Sequence, residues 1–595
     1  MPSSTKLTRA LVDVAMGRLP ADLVIRNGKW VSVQSGEILP GSDIAIKDGH
    51  IAYVGEDASH TVGKKTKVID AQERYLVPGL LDGHMHVESG MVTVTEFVRA
   101  VAVRGTTGMF IDPHEMANVF GLKGVKLMLD EARQQPIHVW VQMPSCVPSA
   151  PGLETPGARI GPKEVAQAMK WEGIIGLGEM MNYPGVSAGD PDMLEEMAVT
   201  HANNKTIGGH YASPDLGLPF HGYVAGGVED DHEGTLLEDV VERVRQGMKA
   251  MLRYGSSWHD VASQLGAITH LGMDPRHFML VTDDSHAYTI SHEGHTDRVL
   301  RHAIEQGLNP ITAIQMMTIN TAEHFGVSKE MGMIAPGRWA DVVLVQDLND
   351  FKADMVIAKG QIIAENGEWK VKLPKFKYPA WAMKSVKLKR RLKAEDFKVE
   401  VKSKKTEVRA NVIGVIENQA PTRHLTFDLQ PANGEIKTDL DRDIAKVALV
   451  ERHRGTGKVT LGFVSGFGFA SKCAVASTVA HDSHHMLIVG TDEESMAVAG
   501  NSLARSGGGQ VVVKEGKVIG QVELKIGGLM SVEKADVVAE KAGTVLEGFR
   551  ACGCTLNNPN MQLSLLALVV IPELRISDKG LVDVTHFKFV PVLEG

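Results

Sequence analysis

From residue 75 to about 335, short apolar runs alternate with stretches of helical periodicity, and few architectures accept that pattern. Strands covered on both faces read as unbroken apolar runs, and parallel neighbours need a helical crossover between them. The alternation therefore predicts an α/β fold with a TIM-like (β/α)8 barrel, which takes about 250 residues. Eight strand runs are nominated: 76–81, 108–111, 137–143, 173–178, 206–209, 224–228, 249–252 and 277–281. Helical patterns at 124–133, 162–170, 236–246 and 297–306 separate several of them. In such barrels the chemistry stands where strands end, so the residue after each run is the one to inspect.

Those positions are rich in imidazoles and carboxylates. The first run leads to His84 and His86, the second to Asp112 with His114 and Glu115 behind it, and the third to Ser145 and Cys146. Glu179 follows the fourth, His210 the fifth, Asp230-Asp231-His232-Glu233 the sixth, and Thr282-Asp283-Asp284 the eighth. Histidine and carboxylate donors without thiolate favour zinc, manganese or iron(II).

Short β-like runs between 21 and 69 alternate with Gly-containing turns, and similar runs return at 337–345, 355–358 and 361–364. A chain that leaves a sheet and later rejoins it builds a composite domain, expected here as a small flanking β-sandwich. The predicted order is an N-terminal helix and first sheet segment (1–75), the barrel (76–335), the returning sheet segment (336–380), a basic linker (381–402) and a β-rich C-terminal α+β domain (403–595). In that last domain His481, His484 and His485 are expected to pack as a hydrogen-bonded cluster against the barrel. Gly507-Gly508-Gly509 lacks the lysine of a phosphate-binding loop.

A net charge of -9 over 595 residues argues against nucleic acid as a partner. Four cysteines do not make a disulfide framework and suggest a reducing compartment. With no signal-peptide core and no apolar window of membrane-spanning length, a cytoplasmic chain without a membrane partner is expected.

The stretch Val77-Pro-Gly-Leu-Leu-Asp-Gly-His-Met-His-Val-Glu88 resembles the first-strand motif of the amidohydrolase superfamily. Asp112-Pro-His-Glu115, 144–154, Gly178-Glu-Met-Met-Asn182, Asp231-His-Glu233 and Thr282-Asp-Asp284 are together similar to the bacterial adenine deaminases within it. The likeness extends to Gly462-Phe-Val-Ser-Gly466, His481-Asp-Ser-His484 and Ser506-Gly-Gly-Gly509, and it departs after His210, at Tyr211-Ala-Ser-Pro214 and the loop 217–223. The resemblance implies two divalent ions, Mn2+ or Fe2+, with Zn2+ accepted by the same donors. His84, His86 and Asp283 would hold one ion, His210 and His232 the other, and Glu179 would bridge where many relatives use a carbamylated lysine.

The implied reaction is hydrolytic deamination of adenine to hypoxanthine and ammonia in purine salvage, by a homo-oligomer acting on a small purine base. Water activated at the metals would add to C6, Asp283 would relay its proton to the amino group, and a protonated Glu233 would serve a ring nitrogen. Asp112, His114, Glu115, Ser145 and Asp284 are expected to touch substrate or support the ligands. A deaminase of another or an N6-substituted aminopurine would share every ligand; a cyclic-amide hydrolase usually carries the bridging lysine.

Overall fold

The computed structural model describes residues 5–256, 258–401 and 406–594. Two arcs of parallel strands form its centre. The first runs Thr206–Gly209, Ile174–Met180, His138–Met143, Thr106–Ile111, Leu80–His86 and Asp283–Asp284; the second runs Asp230–Asp231, Lys249–Arg253 and Phe278–Val281. Residues 278–284 carry the chain from one arc to the other, pairing with Lys249–Arg253 and then with Leu80–His86. At the opposite seam Gly209 N–H donates to Asp230 Oδ1 at 3.1 Å. Leu80–His86, Thr106–Ile111 and Phe278–Val281 are buried along their whole length, and the other strands nearly so, as their apolar runs predict.

Two expected strands need correction. The run 76–81 belongs to two sheets, because Tyr75–Pro78 pairs with the flanking sheet and the central arc starts at Leu80. Gly79 makes that crossing, where a Cβ would lie 2.0 Å from Thr107 Oγ1. The run 224–228 is the end of helix Leu218–Ala225 and a turn, and the sixth strand is Asp230–Asp231. A strand made of two acids escapes a search for apolar runs. It is tolerated because Asp230 pairs with His324 at 2.7 Å and Asp231 with the buried Arg243 at 2.7 Å.

Where a flanking β-sandwich is expected, strands from both sides of the central arcs join in one nine-stranded mixed sheet. Leu23–Ser32 lies at its middle, antiparallel to Glu37–Lys47 and parallel to Lys67–Asp70 and Tyr75–Pro78; Val342–Val345, Ala353–Ala358, Gln361–Glu365 and Glu368–Trp369 continue it. The basic segment is no free linker. Ala382, Ser385 and Leu392 are buried between exposed lysines and arginines, so it lies as a strap on the domain that follows. Residues 402–405, where the expected domain boundary falls, lie outside the described residues.

A second nine-stranded sheet forms the C-terminal region, with Ala445–Val450, Met486–Gly490 and Cys473–Ser477 at its centre and helices Glu493–Ser506 and Ala535–Ala551. Gly507 (φ 87°) caps the first helix, and a Cβ on Gly509 would lie 1.9 Å from Val522 O, so the triple glycine serves a close turn. The segment after the third central strand fastens this region down. Thr155 N–H donates to Asp578 Oδ1 at 2.8 Å, Thr155 O lies 2.9 Å from His485 Nε2, and Lys579 Nζ donates to Gly152 O at 2.7 Å. Among the described residues no helix is long and apolar enough to cross a membrane.

Candidate metal centre

His84 and His86 end the first central strand, and both imidazoles turn inward onto buried carboxylates. His84 Nε2 lies 3.8 Å from both Glu179 Oε2 and Asp283 Oδ1; His86 Nε2 lies 3.7 Å from Glu179 Oε1 and 3.6 Å from Asp283 Oδ1. His232, after the first strand of the other arc, has Nε2 3.3 Å from Glu179 Oε2, and His210, at the far end of the first arc, brings Nδ1 to 3.0 Å from the same oxygen. Glu179 thus turns one oxygen to His86 and the other to His84, His210 and His232.

These residues fit divalent ions. Donor atoms sharing an ion at about 2.1 Å stand roughly 3–4 Å apart, the spacing found here. Four overlapping sets have donor atoms within 4.8 Å of one another: His84, His86 and Glu179; His84, His232 and Asp283; Glu179, His210 and His232; and His86, Asp283 and Asp284. His84 Nε2 is buried with no hydrogen-bond partner among the described residues. The sets do not divide into the two groups the sequence suggests, because His232 stacks on His84 at 4.0 Å between ring centres and serves both halves.

Burial disfavours every charge here, and opposite partners decide the outcome. Burial raises Glu179, but His210 and His86 outweigh it and hold the carboxyl well below its ordinary range. His210 is disfavoured as a cation by burial yet brought up to about 10 by Glu233 and Glu179. Burial, with His232 and His86 beside it, pushes His84 well down.

Around the ligands stands a set of supports. Asp112 O faces His86 Nδ1 at 2.9 Å, which leaves Nε2 free for an ion, and Asp112 Oδ2 accepts from Glu179 N–H at 2.9 Å. Ser145 Oγ donates to Glu179 O at 2.7 Å. Asp284 accepts from Ser89 Oγ, and Glu115 Oε2 lies 4.0 Å from His86 Nδ1. His114 faces the C-terminal region, 3.9 Å from Asp482 Oδ1.

Arg253 is the functional residue that the apolar runs miss. Its buried guanidinium donates to Glu233 Oε1, to Asp283 Oδ2 at 3.0 Å and to Asp260 Oδ2 at 2.6 Å. It is the last residue of the seventh strand, one place beyond the nominated run. The signal is in the sequence, since Arg253 directly follows the apolar run 249–252. Arg253 also corrects the expected state of Glu233. Burial raises that carboxyl, but Arg253, His210 and His232 bring it down to about 2, so Glu233 is an ionised acceptor and no standing acid. Asp283 moves the other way, up to about 6, through burial and the charge of Asp284.

A cavity of about 620 Å³ opens over these groups. Met181, Tyr183 and Trp258 line its sides, while Met561, Leu565, Leu568, Val570, Ile571 and His481 of the C-terminal region roof it. The expected histidine cluster is therefore split, since His481 faces the cavity, His484 is fully buried and His485 holds the Thr155 loop. None of the three belongs to a metal-sized set among the described residues. Cys146 is buried and its thiol is pushed up to about 12 by burial and Glu196, unsuited to nucleophilic attack.

Residues 75–363 match the model of the amidohydrolase family, and residues 419–588 match that of the adenine deaminase C-terminal domain. An adenine deaminase of Mesorhizobium japonicum is 61% identical over 98% of this chain and 97% of its own. "Adenine deaminase 3" of Rhizobium meliloti is 58% identical over 99% of both, and an adenine deaminase of Moorella thermoacetica 50% identical over 99% of this chain and 98% of its own. With the similarity running through the ligand-bearing arcs and the roof alike, the chain belongs to the adenine deaminase family of the amidohydrolases.

Proposed function

We propose that this chain hydrolyses adenine to hypoxanthine and ammonia at a centre of two divalent ions. The full-length similarity to adenine deaminases carries the reading. His84, His86, Glu179, His210, His232 and Asp283 would hold the ions, with the two oxygens of Glu179 turned to different imidazoles as a bridge requires. Such ions supply acidified water, a nucleophile at neutral pH. Asp283, a carboxyl near 6 that can hold and release a proton at neutral pH, would carry one proton of the attacking water to the departing amino group, while the other ends on the ring nitrogen of hypoxanthine. Arg253 keeps Asp283 and Glu233 in place, and the ionised Glu233 accepts a hydrogen bond from the ring or from its transient N–H.

The same reading takes the two parallel arcs as one closed (β/α)8 barrel with domain limits near residues 75, 335, 380 and 402. It includes Mn2+ or Fe2+ as the ions, a self-associating enzyme, and purine salvage in the cytoplasm. All four cysteines are free and buried, in keeping with a reducing compartment.

The test is to strip the protein with chelator, restore Mn2+, Fe2+ or Zn2+, and measure ammonia from adenine against metal bound. Activity saturating at two equivalents is expected. Ammonia without metal would overturn the mechanism, saturation at one equivalent would remove the bridging role of Glu179, and faster turnover of an N6-substituted adenine would reassign the substrate.

A further inference from the structure

The roof of the metal cavity is built from chain that lacks a ladder of its own. Between helix Pro559–Leu565 and strand Leu574–Ile576, residues 566–573 form turns and bends, yet Leu568, Val570 and Ile571 of this stretch line the cavity. Gln419 and Ala420 join them from a distant part of the sequence. Apolar side chains carried on irregular backbone need something else to fix their height above the floor.

Arg575 supplies it. Its side chain is fully buried, and its guanidinium donates to four carbonyl oxygens: Nε to Ile571 at 2.8 Å, Nη1 to Leu565 at 2.7 Å, and Nη2 to Ala420 at 2.5 Å and to Pro572 at 3.2 Å. All four acceptor residues line the cavity, and Arg575 itself does not. Burial pushes the guanidinium down to about 9, which leaves it charged at neutral pH. Hydrogen bonds from a charged donor are about twice as strong as neutral ones, and the planar fork gives them fixed directions.

We propose that Arg575 is the positioning residue of the roof, holding the end of the helix, the turn at 571–572 and residue 420 together at the height where the base is gripped. The proposal rests on the deaminase reading for the identity of the base, while the clamp is a property of the roof itself. Without the fork the three segments part, and the roof stands open for much of the time. Binding-competent protein is then a fraction of the whole, and apparent affinity falls by that fraction while the chemistry at the floor is untouched.

The test uses the metal-loaded full-length enzyme and pairs two buried arginines. Arg452, in the same C-terminal region, is also fully buried, but it donates to His484 O at 2.5 Å and to Ser385 Oγ at 3.1 Å, and neither partner lines the cavity. Lysine keeps the charge and gives up the fork, so Arg575→Lys and Arg452→Lys should both lower the thermal midpoint. Only Arg575→Lys is expected to raise KM for adenine, about tenfold for a roof closed one-tenth of the time, with kcat and bound metal unchanged. In Arg575→Ala, millimolar guanidinium should refill the site and lower KM again, where urea at the same concentration does not.

A KM raised by both lysine variants, or by neither, overturns the proposal, as does a raised KM in Arg575→Ala that guanidinium leaves untouched. Loss of kcat or metal in Arg575→Lys also overturns it, making the residue a support of the floor. If Arg575→Lys and Arg575→Ala both fail to fold, the residue belongs to folding and the proposal falls. If the wild type releases no ammonia from adenine, the deaminase reading fails, and calorimetric affinities of the same variants for adenine and hypoxanthine still decide the role of Arg575.

Discussion

The floor and the roof of the cavity obey different constraints. The floor is six candidate ligands from five strand ends, each of a particular chemical type within 3–4 Å of its neighbours. The roof is an apolar surface from residues 561–571 that acts through area and shape. The contrast teaches that one site can be strict on one wall and permissive on the other, and substitutions on the two walls should fail in different ways.

The largest effect is expected on the floor. Glu179→Ala removes the carboxylate shared by all four imidazoles and should lower kcat roughly a thousandfold, several kcal/mol of lost activation, with bound metal lost in parallel. If metal analysis showed full occupancy in that variant, the central place of Glu179 would be lost. Arg253→Met comes next, because it leaves Glu233 and Asp283 buried without their cation. A drop in kcat of about a hundredfold at unchanged metal content is expected, the upper end for a residue that orients ligands. Equal loss of metal and turnover would make Arg253 part of the ligand scaffold only.

The roof should respond through binding. Ile571→Thr shortens the side chain and puts a hydroxyl in place of apolar contact, so KM should rise about fivefold, near 1 kcal/mol, with kcat unchanged. A fall in kcat at constant KM would mean that the roof acts on the chemistry after all.

An effect on stability, with no change in turnover, lies outside both walls. Glu196 is fully buried and neither carboxylate oxygen has a hydrogen-bond partner among the described residues; burial and the nearby acids Asp192 and Asp190 raise its carboxyl to about 8. Between the unfolded value near 4.5 and about 8 the folded chain binds the extra proton, so the wild type loses stability as pH rises through that window. Glu196→Gln should remove that slope, up to about 1.4 kcal/mol for each pH unit, and its advantage in thermal unfolding should be larger at pH 8 than at pH 5. Parallel pH profiles for the two proteins would show that Glu196 is ionised in the fold.

The same contrast explains what could be read from the amino acids. His84, His86, Glu179, His210, His232 and Asp283 stand out in the sequence because metal-binding chemistry admits few residue types, and the structure brings their donor atoms together at neighbouring strand ends. Arg253 stayed hidden because the apolar run stops at Leu252, one residue before the charge that organises two carboxylates. Strand Asp230–Asp231 stayed hidden because its stability comes from His324 and Arg243, which are distant in sequence. The apolar roof residues look like those of any buried segment until the chain folds over the cavity, and Arg575 is told from other arginines only by the carbonyls it meets.

One feature of the flanking sheet bears on how the molecule is made. Tyr75–Pro78 finds its partner in Val342–Val345, and the sheet is completed only at Trp369. On the ribosome the first strands must therefore wait for some three hundred further residues, exposing an unpaired edge meanwhile. Nor can the cavity close before Ile571 emerges, so a nascent chain could gather its ligands well before it gains a shielded place for the base.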